Sequence, residues 1–359
     1  GSVELDLEPN QSKVVDLELT RISSTESYLN LELRTTEDCA WVEEGHIIAE
    51  EQFVINEFEN TYDELETGEE LVVADSYGSL RILSEDLNIR FERRERNQLY
   101  SIRVGGEDIL TAPVRFNFWR ALTDNDRGNR AGSRLGCWRD AGNTPGIYNN
   151  TKFSIDDYRV TDGGRKVTIN CSAVVCTDPE SRAKLVYTVT SKGIGVDLQF
   201  MPDPSLPEIP EVSMLFELPG DFEDVTYLGE GPYENYIDRR NGTKIGVYNT
   251  TVTDMYTDYL KPQECGNRTG VRYATLVGKK KTFTLVAEPV MEFNASHYLP
   301  LEIENAWHKK ELPESDKTIV RAIARQQGVG GYDSWGAKTN DKYINKTDRT
   351  YRLKFQIRF

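Results

Sequence analysis

The sequence predicts an all-β protein built from antiparallel sheets. Short segments in which apolar and polar side chains alternate recur along the chain, which is the pattern of strands with one buried face. Turn signals rich in Gly, Asn and Asp separate these segments, and a helical period sustained over a dozen residues is hard to find. This pattern allows a few short helical turns at most.

The expected strands follow in order along the chain. Residues 13–19 and 28–33 alternate most regularly, so each should place one face on a core. The further expected strands cover residues 80–83, 87–93, 166–176, 183–190, 195–201, 212–217, 244–248, 273–277, 282–288, 318–325 and 351–359.

Two domains are expected in the 359 residues, in agreement with common domain sizes. An acidic stretch at 57–66 lacks any hydrophobic period, which is typical of a solvated connector. Residues 1–60 then form a first domain of three or four strands, too few to close a stable sandwich alone. We expect residues 61–74 to be a linker and residues 75–359 to be one large β domain. Gly1 and Ser2 have the form of an expression remnant, so we expect a longer parent protein.

The net charge of the chain argues against some classes of binding partner. With 43 Lys+Arg against 59 Asp+Glu, the formal net charge is −16, whereas proteins that bind nucleic acid need clustered Lys and Arg. No segment approaches the roughly 18–20 apolar residues of a membrane-spanning helix. We therefore predict neither a nucleic acid nor a membrane as partner.

The five cysteines are an odd number without a Cys-x-x-Cys pair, which argues against both a zinc site and a disulfide framework. We expect free thiols that are mostly buried. Localisation stays open between the cytoplasm and a bacterial periplasm.

Four segments do not fit the strand pattern: residues 116–129, 229–239, 254–259 and 328–336. Each mixes carboxylates, amides and aromatic rings, and loops of this kind on a rigid sheet commonly carry binding residues. A sugar stacks its apolar face on Trp or Tyr while its hydroxyls form hydrogen bonds with Asp, Asn and Arg. These segments therefore suggest a carbohydrate surface, and the alternative is the turn chemistry of a large β-sandwich.

Intrinsic catalytic or metal sites have weaker support. The closely spaced carboxylates are Glu230 with Glu234 and Asp124 with Asp126, and such spacing arises by chance in an acid-rich chain, so we predict no glycosidase dyad. A calcium loop starting at Asp124 would need an acidic ligand where Leu135 stands.

Three other site types also lack the residues that they need. The histidines, at positions 46, 297 and 308, have no metal-ligand spacing. Ser334 lacks the Gly-x-Ser-x-Gly context of a serine hydrolase, and residues 328–331 lack the Lys-Ser/Thr of a phosphate loop.

The four segments resemble, in the same order, motifs from the C-terminal region of glycoside hydrolase family 2 β-galactosidases. FWRALTDND at 118–126 is similar to FWRAPTDND, with Leu122 where Pro is usual, and GEGPYENYIDR at 229–239 is similar to GxGPxENYxDR. The stretch 254–268 resembles DMYxxYxxPxExGxR, and GVGGYDSWG at 328–336 resembles GxGGxDSW. Residues 40–49 resemble, more weakly, the last strands of the immunoglobulin-like domain that precedes this region in the family.

This resemblance implies an antiparallel, galactose-mutarotase-like supersandwich preceded by a partial immunoglobulin-like β-sandwich. It also implies a non-catalytic C-terminal part of a β-galactosidase, because the acid/base and nucleophile glutamates of the family lie on an upstream TIM barrel. The alternatives are a stand-alone carbohydrate-binding module and a mutarotase-like aldose epimerase, whose chemistry uses histidine.

The resemblance places a sugar-stacking tryptophan of the family on Trp335, and the alternative for this residue is packing at a domain corner. A loop that borders the pocket in relatives corresponds to residues 128–138. Acidic and amide side chains beside Gly turns are expected to hold these loops through hydrogen bonds to backbone N–H groups. They are Asp124, Asn125, Asp126, Glu234, Asn235, Asp238 and Asp333.

The resemblance implies no cofactor or metal in this chain. For the intact enzyme it allows bound Mg²⁺ and Na⁺. The implied partners are the upstream catalytic TIM-barrel domain, a galactoside substrate and further copies of the intact enzyme in a homo-oligomer.

Overall fold

The computed structural model of the chain describes residues 1–19, 26–59, 64–93, 99–143, 151–330 and 340–359. They divide into two compact units, Gly1–Asn60 and Thr61–Phe359. In the first unit, strands β1 (Ser27–Arg34) and β2 (Ile47–Asn56) pair antiparallel in a two-stranded sheet.

The strand expected at residues 13–19 was a wrong prediction, because this segment has no regular secondary structure. Its alternating side chains could line one face, but a strand also needs a neighbouring backbone to pair with its N–H and C=O groups. The two strands in the described part of this unit pair with each other. The described residues of the unit thus contain two strands, fewer than the three or four expected.

The second unit holds the remaining strands and short helices. Its strands are β3 (Val72–Asp75), β4 (Ser79–Leu83), β5 (Leu87–Glu92), β6 (Leu99–Val104), β7 (Glu107–Asp108), β8 (Ala112–Asn117), β9 (Lys152–Thr161), β10 (Lys166–Val175), β11 (Ser181–Thr190), β12 (Gly193–Met201), β13 (Glu211–Pro219), β14 (Asp224–Gly231), β15 (Lys244–Thr251), β16 (Arg268–Val277), β17 (Thr282–Ser296), β18 (Lys317–Gln326) and β19 (Tyr351–Arg358). Its helices are α1 (Asp124–Gly128), α2 (Ala131–Arg134), α3 (Gly136–Asn143), α4 (Val252–Met255) and α5 (Pro300–Asn305). Single 3₁₀ turns cover Asp162–Gly164, Lys309–Glu311 and Asp341–Tyr343.

The strands of this unit form two antiparallel sheets. The smaller has the order β3-β4-β5-β6-β7, and the larger follows the path β15-β14-β16-β17-β19-β12-β11-β10-β9. The long strand β17 joins two parts of the larger sheet, because residues 284–287 pair with β19 and residues 292–296 pair with β18. Strand β18 also pairs with β13, and β13 pairs with β8. The prediction of an all-β, antiparallel fold is confirmed.

The alternating apolar side chains of the strands point into a core that the two sheets of this unit share. In β10 every second residue is buried, and the register places Ile169 opposite Tyr187 of β11. The Tyr187 ring lies 5.1 Å from the Phe91 ring of β5, measured between centroids, so the two sheets bury side chains against each other. Cross-strand aromatic and aliphatic pairs of this kind stabilise sheets.

The described part of the expected linker packs within the second unit. Leu65 and Leu71 are buried, and β3 begins at Val72. The backbone N–H of Glu69 donates to Ser191 Oγ at 2.9 Å, and that of Leu71 donates to the carbonyl oxygen of Gly164 at 2.9 Å.

All five cysteines are free thiols, as predicted. Only Cys171 and Cys265 are buried, whereas Cys39 is exposed, so the expectation of mostly buried thiols was wrong. Within the described ranges, the helices are too short and too polar to cross a membrane.

Candidate functional site

A cleft of about 440 Å³ lies where the unusual sequence segments meet. It is lined by Thr123, Asp124, Asn125, Tyr236, Asp238, Arg239, Tyr259, Gln263, Glu264, Val329 and Gly330. Parts of these segments belong to regular elements, contrary to the expectation that they are loops: residues 116–117 end β8, residues 229–231 end β14, and residues 124–128 form α1. The polar residues of three segments therefore follow the end of a strand, and those of 254–259 follow the short helix α4.

Helix α1 forms one wall of the cleft and begins with a capping box. Thr123 Oγ1 accepts a hydrogen bond from the N–H of Asp126 at 3.1 Å, and Asp126 Oδ2 accepts one from the N–H of Thr123 at 3.1 Å. Such reciprocal bonds satisfy two N–H groups at the start of a helix. They fix the Asp126 carboxylate beneath the cleft.

The buried Arg120 guanidinium connects α1 with the segment that leads to the DSW motif. It donates to both carboxylate oxygens of Asp126, at 3.2 and 3.1 Å, to the carbonyl oxygen of Gly328 at 2.9 Å, and to that of Gln327. Burial alone would lower the pKa of Arg120, but the adjacent Asp126 carboxylate raises the pKa above its ordinary value. Arg120 therefore stays charged.

Two more side chains hold residues 328–330. The Asp238 carboxylate accepts hydrogen bonds from the N–H groups of Val329 at 3.1 Å and Gly330 at 2.9 Å. The Asn125 side-chain amide donates to the carbonyl oxygen of Val329 at 3.1 Å. The chain is thus fixed as far as Gly330, the last described residue before the DSW motif.

Glu234 and Asn235 hold the other wall. Glu234 Oε2 accepts a hydrogen bond from the N–H of Gly266 at 2.8 Å, and its Oε1 accepts one from the Tyr259 hydroxyl. Asn235 is fully buried, and its Oδ1 accepts a hydrogen bond from the N–H of Thr269 at 2.7 Å. These bonds join the end of β14 to the start of β16.

Asp124 lies differently, because its side chain is exposed. Its Oδ2 accepts a hydrogen bond from the Gln263 side chain at 3.3 Å, and its N–H donates to Gln263 Oε1 at 3.2 Å. Of the eight residues named from the sequence, Asp124, Asn125 and Asp238 thus line this cleft. Three more, Asp126, Glu234 and Asn235, form hydrogen bonds within the segments around it. Asp333 and Trp335 lie outside the described residues.

The floor of the cleft contains two residues that the sequence analysis did not select, Tyr236 and Glu264. Both are buried, and neither the Tyr236 hydroxyl nor Glu264 Oε2 has a hydrogen-bond partner among the described residues. Burial and the nearby carboxylate of Glu264 raise the pKa of Tyr236 well above its ordinary value, so the hydroxyl stays protonated. Buried polar groups without partners are rare, so these atoms favour a polar occupant at the cleft floor. Both residues stand inside the motif segments, but no sequence pattern indicates that their polar atoms lack partners among the described residues.

Glu230, one of the closely spaced carboxylates, is bound by neighbouring side chains. Arg240 binds Glu230 with two guanidinium nitrogens, and Thr269 Oγ1 donates to Glu230 Oε2 at 2.8 Å. Burial opposes ionisation of Glu230, but these hydrogen bonds outweigh it and lower the pKa of this carboxyl. A general acid needs a raised pKa instead.

The carboxyls whose pKa is raised lie elsewhere. Burial raises the pKa of Glu211 and Glu292 to about 7, and it also raises the pKa of Glu304. None of the three is among the described residues that line the cleft. In the same described ranges no group of three or more His, Cys, Asp or Glu side chains could hold a metal ion.

Several aromatic rings of the motif segments are core residues. Phe118 and Trp119 are buried, and the Phe118 ring lies 4.6 Å from that of Phe200 and 5.7 Å from that of Trp138, between centroids. These rings cannot stack on a ligand, which corrects the expectation that the aromatic content of residues 116–129 faces a sugar.

Two family models match the chain. The model described as β-galactosidase small chain matches residues 84–357, and the model described as β-galactosidase, domain 4, matches residues 1–56.

Individual relatives agree. A β-galactosidase of Priestia megaterium is 33% identical over 335 residues, which cover 93% of this chain and 31% of the relative. One from Streptococcus thermophilus is 30% identical, with 98% of this chain and 34% of the relative covered. A β-galactosidase small subunit of Latilactobacillus sakei is 28% identical, with 72% of this chain and 89% of the relative covered. The chain thus spans about a third of the length of the first two relatives.

Among solved structures, a galactose mutarotase-like protein of Clostridium acetobutylicum has a TM-score of 0.44 at 10% identity, covering 80% of this chain and 98% of that protein. One from Lactobacillus casei has a TM-score of 0.43 at 13% identity, covering 78% and 99%.

Proposed function

Since this chain belongs to the β-galactosidase small-chain family, we propose that it is the non-catalytic C-terminal part of a β-galactosidase and completes the galactoside pocket of the intact enzyme. The observation that carries this proposal is the cleft next to the DSW motif. Its walls are fixed by Asp126, Asp238 and Glu234, so it is rigid before any ligand arrives. Preorganised polar groups of this kind bind hydroxyl-rich ligands at low entropic cost.

The catalytic carboxylates are proposed to come from outside this chain. The described acids that line the cleft are Asp124, Asp238 and Glu264. Asp238 is occupied by two backbone N–H groups and Glu264 Oε1 by Arg321 at 2.7 Å. A retaining glycosidase needs a free nucleophile and a separate proton donor about 5–5.5 Å apart, and these side chains have other partners.

Trp335 is proposed to be the sugar-stacking residue. Arg120, Asn125 and Asp238 hold residues 327–330, which stand directly before the DSW motif. The described chain continues at Asn340, whose side chain accepts a hydrogen bond from the N–H of Lys342 at 3.2 Å. These fixed anchors on the N-terminal side of the motif favour the proposal, because a binding residue needs a rigid support.

The proposed partner is a larger catalytic chain or domain with a TIM barrel, and the intact enzyme is proposed to be a homo-oligomer. Three exposed residues next to the cleft support a docking surface, and we call them the apolar rim: Tyr233, Leu260 and Trp307. Tyr233 precedes Glu234, which binds Tyr259, and Leu260 follows Tyr259. The Lys261 ammonium lies 3.7 Å from the centre of the Trp307 ring, which brings Trp307 close to Leu260, the residue before Lys261. Aromatic residues that are exposed together commonly mark an interface.

The mutarotase alternative finds no support in the cleft. The three histidines are not among its described lining residues, and His297 binds Glu223 Oε2 at 2.8 Å and the carbonyl oxygen of Lys317 at 3.0 Å instead.

Three assays on the 359-residue chain separate the functions: aryl β-galactoside hydrolysis, galactose mutarotation and calorimetric galactose binding. We expect the chain alone to catalyse neither hydrolysis nor mutarotation. Hydrolysis should appear when the catalytic part of the same enzyme is added. Hydrolysis by the chain alone within tenfold of an intact β-galactosidase would overturn the proposal. Tight galactose binding without any effect on the catalytic part would favour a stand-alone binding module.

A further inference from the structure

A second cavity, of about 650 Å³, lies on the other side of helix α1 and has a basic lining. Arg127, Arg130 and Arg139 line it, and Asp140 is its one acidic residue among those described. Residues 127–139 contain four arginines and no acidic residue, in a chain with 59 Asp+Glu and a net charge of −16. Positive charge is therefore concentrated where the rest of the chain is strongly acidic.

Arg130 has an unusual backbone. Its φ of 63° and ψ of 31° place it in the left-handed region. The other described non-glycine residues with positive φ are Asn10 and Asp162, residue types that tolerate this conformation better than Arg. Glycine would adopt the conformation without strain, so an arginine at this position carries a backbone cost.

The guanidinium of Arg130 is exposed, and it has no hydrogen bond or ion pair within the described ranges. Its neighbours have carboxylate partners: Arg127 Nη1 lies 3.4 Å from Asp124 Oδ1, and Arg139 Nε donates to Asp140 Oδ1 at 3.0 Å. Arg134 likewise forms an ion pair with Glu208. Among the described arginines of this cavity, Arg130 is therefore the one whose charge is not balanced by a nearby carboxylate.

Helix α1 separates this cavity from the cleft, because Thr123, Asp124 and Asn125 face the cleft while Arg127 lines the basic cavity. A helix with its side chains is about 10–12 Å across, a distance that a disaccharide spans. Guanidinium groups bind carboxylate and sulfate through paired hydrogen bonds.

We infer that the basic cavity binds an anionic group, a carboxylate or a sulfate, on the aglycone of a galactoside whose sugar occupies the cleft. This assignment rests on the proposed function and makes acidic galactosides the preferred substrate class. Arg130 is its central contact, with Arg127 and Arg139 at the sides.

The test uses two disaccharides that differ in one group. Lactobionate carries a carboxylate where lactitol carries a hydroxymethyl group, and gluconate is the acid without the galactose. Calorimetry on the 359-residue chain at low salt should show lactobionate binding at least tenfold tighter than lactitol. The advantage should shrink in 1 M NaCl, where screening acts over about 3 Å.

Arg130→Gly removes the guanidinium and the backbone strain together. We expect this variant to lose at least fivefold in affinity for lactobionate, to keep its affinity for lactitol, and to unfold at a higher temperature. Arg139→Gln should lower the lactobionate affinity as well. Arg165→Ala, which removes an exposed arginine outside the cavity, is the matched control and should change neither affinity.

Equal affinities for lactobionate and lactitol would overturn the basic-cavity assignment and leave the proposed function standing. Gluconate binding as tightly as lactobionate, or an Arg130→Gly variant with full lactobionate affinity, would also overturn it. The absence of binding by both disaccharides would overturn the assignment and count against the cleft as a sugar site.

Discussion

Gly328 and Asp238 are in such close contact that a side chain at position 328 would collide with the carboxylate. A Cβ atom at residue 328 would lie 2.6 Å from Asp238 Oδ2 and 2.7 Å from its Cγ. The same carboxylate binds the N–H groups of Val329 and Gly330. The glycine therefore allows the cleft wall and the segment before the DSW motif to meet.

Gly328→Ala should push Asp238 away from the two N–H groups. We expect a loss of about 2 kcal/mol in the free energy of unfolding, the usual cost of overpacking, measured by denaturant titration. Gly330→Ala is the control, because its Cβ would lie 3.4 Å from Asp238 Oδ2, an ordinary contact. Equal losses for both variants would contradict this explanation.

Arg120 and Asp126 form a buried ion pair whose separation should be costly. Arg120→Met leaves the Asp126 carboxylate without its cation, so we expect the free energy of unfolding to fall by about 3–5 kcal/mol. Adding Asp126→Asn should recover part of this loss, which a double-mutant cycle measures. Arg127→Ala removes a pair with the exposed Asp124 and a hydrogen bond to the carbonyl oxygen of Pro262, and its cost should stay below the cost of Arg120→Met.

Glu292 should make the stability depend on pH. Burial raises the pKa of Glu292 to about 7 even though the N–H of Gln326 and the amide of Asn267 donate to it. In the unfolded chain a glutamate titrates near about 4.3. Between these values the folded chain binds more protons, so the contribution of Glu292 is complete below the unfolded pKa and is lost as the pH rises towards 7.

Glu292→Gln should remove this contribution. We expect the slope of unfolding free energy against pH between 5 and 7 to become less negative, by up to about 1.4 kcal/mol per pH unit. Denaturant titrations over this pH range measure it, with the surface variant Glu314→Gln as control. An unchanged slope in Glu292→Gln would show that this carboxyl does not take up a proton on folding.

The apolar rim makes a prediction about assembly. Leu260→Ser and Trp307→Ala should weaken binding of the catalytic part at least about tenfold, because exposed apolar anchors dominate interface energies. The stability of the chain itself should change by less than about 0.5 kcal/mol. Tyr77→Ala changes an exposed aromatic residue outside the rim and should leave binding, measured by calorimetry, as it was.

Apolar periodicity and apolar runs predicted many of the strands from sequence, and a strand interrupted by glycines was missed. β10 alternates residue by residue, and its predicted bounds are within one residue of the observed ones. β14 was missed because glycines at 229 and 231 interrupt any apolar pattern. The wrong strand at residues 13–19 shows the opposite limit, since alternation predicts a face but cannot supply a pairing partner.

The candidate site could be located from the motifs, but its internal bonds could not. Asp238 and Asn125 are expected from the sequence to hold loops, but their contacts to Val329 depend on how β14, α1 and β18 are arranged in space. The Tyr236 hydroxyl and Glu264 Oε2 have no hydrogen-bond partner among the described residues, and this follows from which groups lie near them in space. A sequence pattern carries no such information. The roles of Asp333 and Trp335 stay predictions.

The steady-state kinetics of Trp335→Ala in the intact enzyme test the central claim most directly. If this chain completes the galactoside pocket, the variant should raise KM and lower kcat/KM roughly tenfold, the equivalent of about 1.4 kcal/mol, with its unfolding temperature unchanged. Trp335→Phe should recover much of the loss because a flat ring remains. Unchanged KM and kcat in Trp335→Ala would contradict the claim.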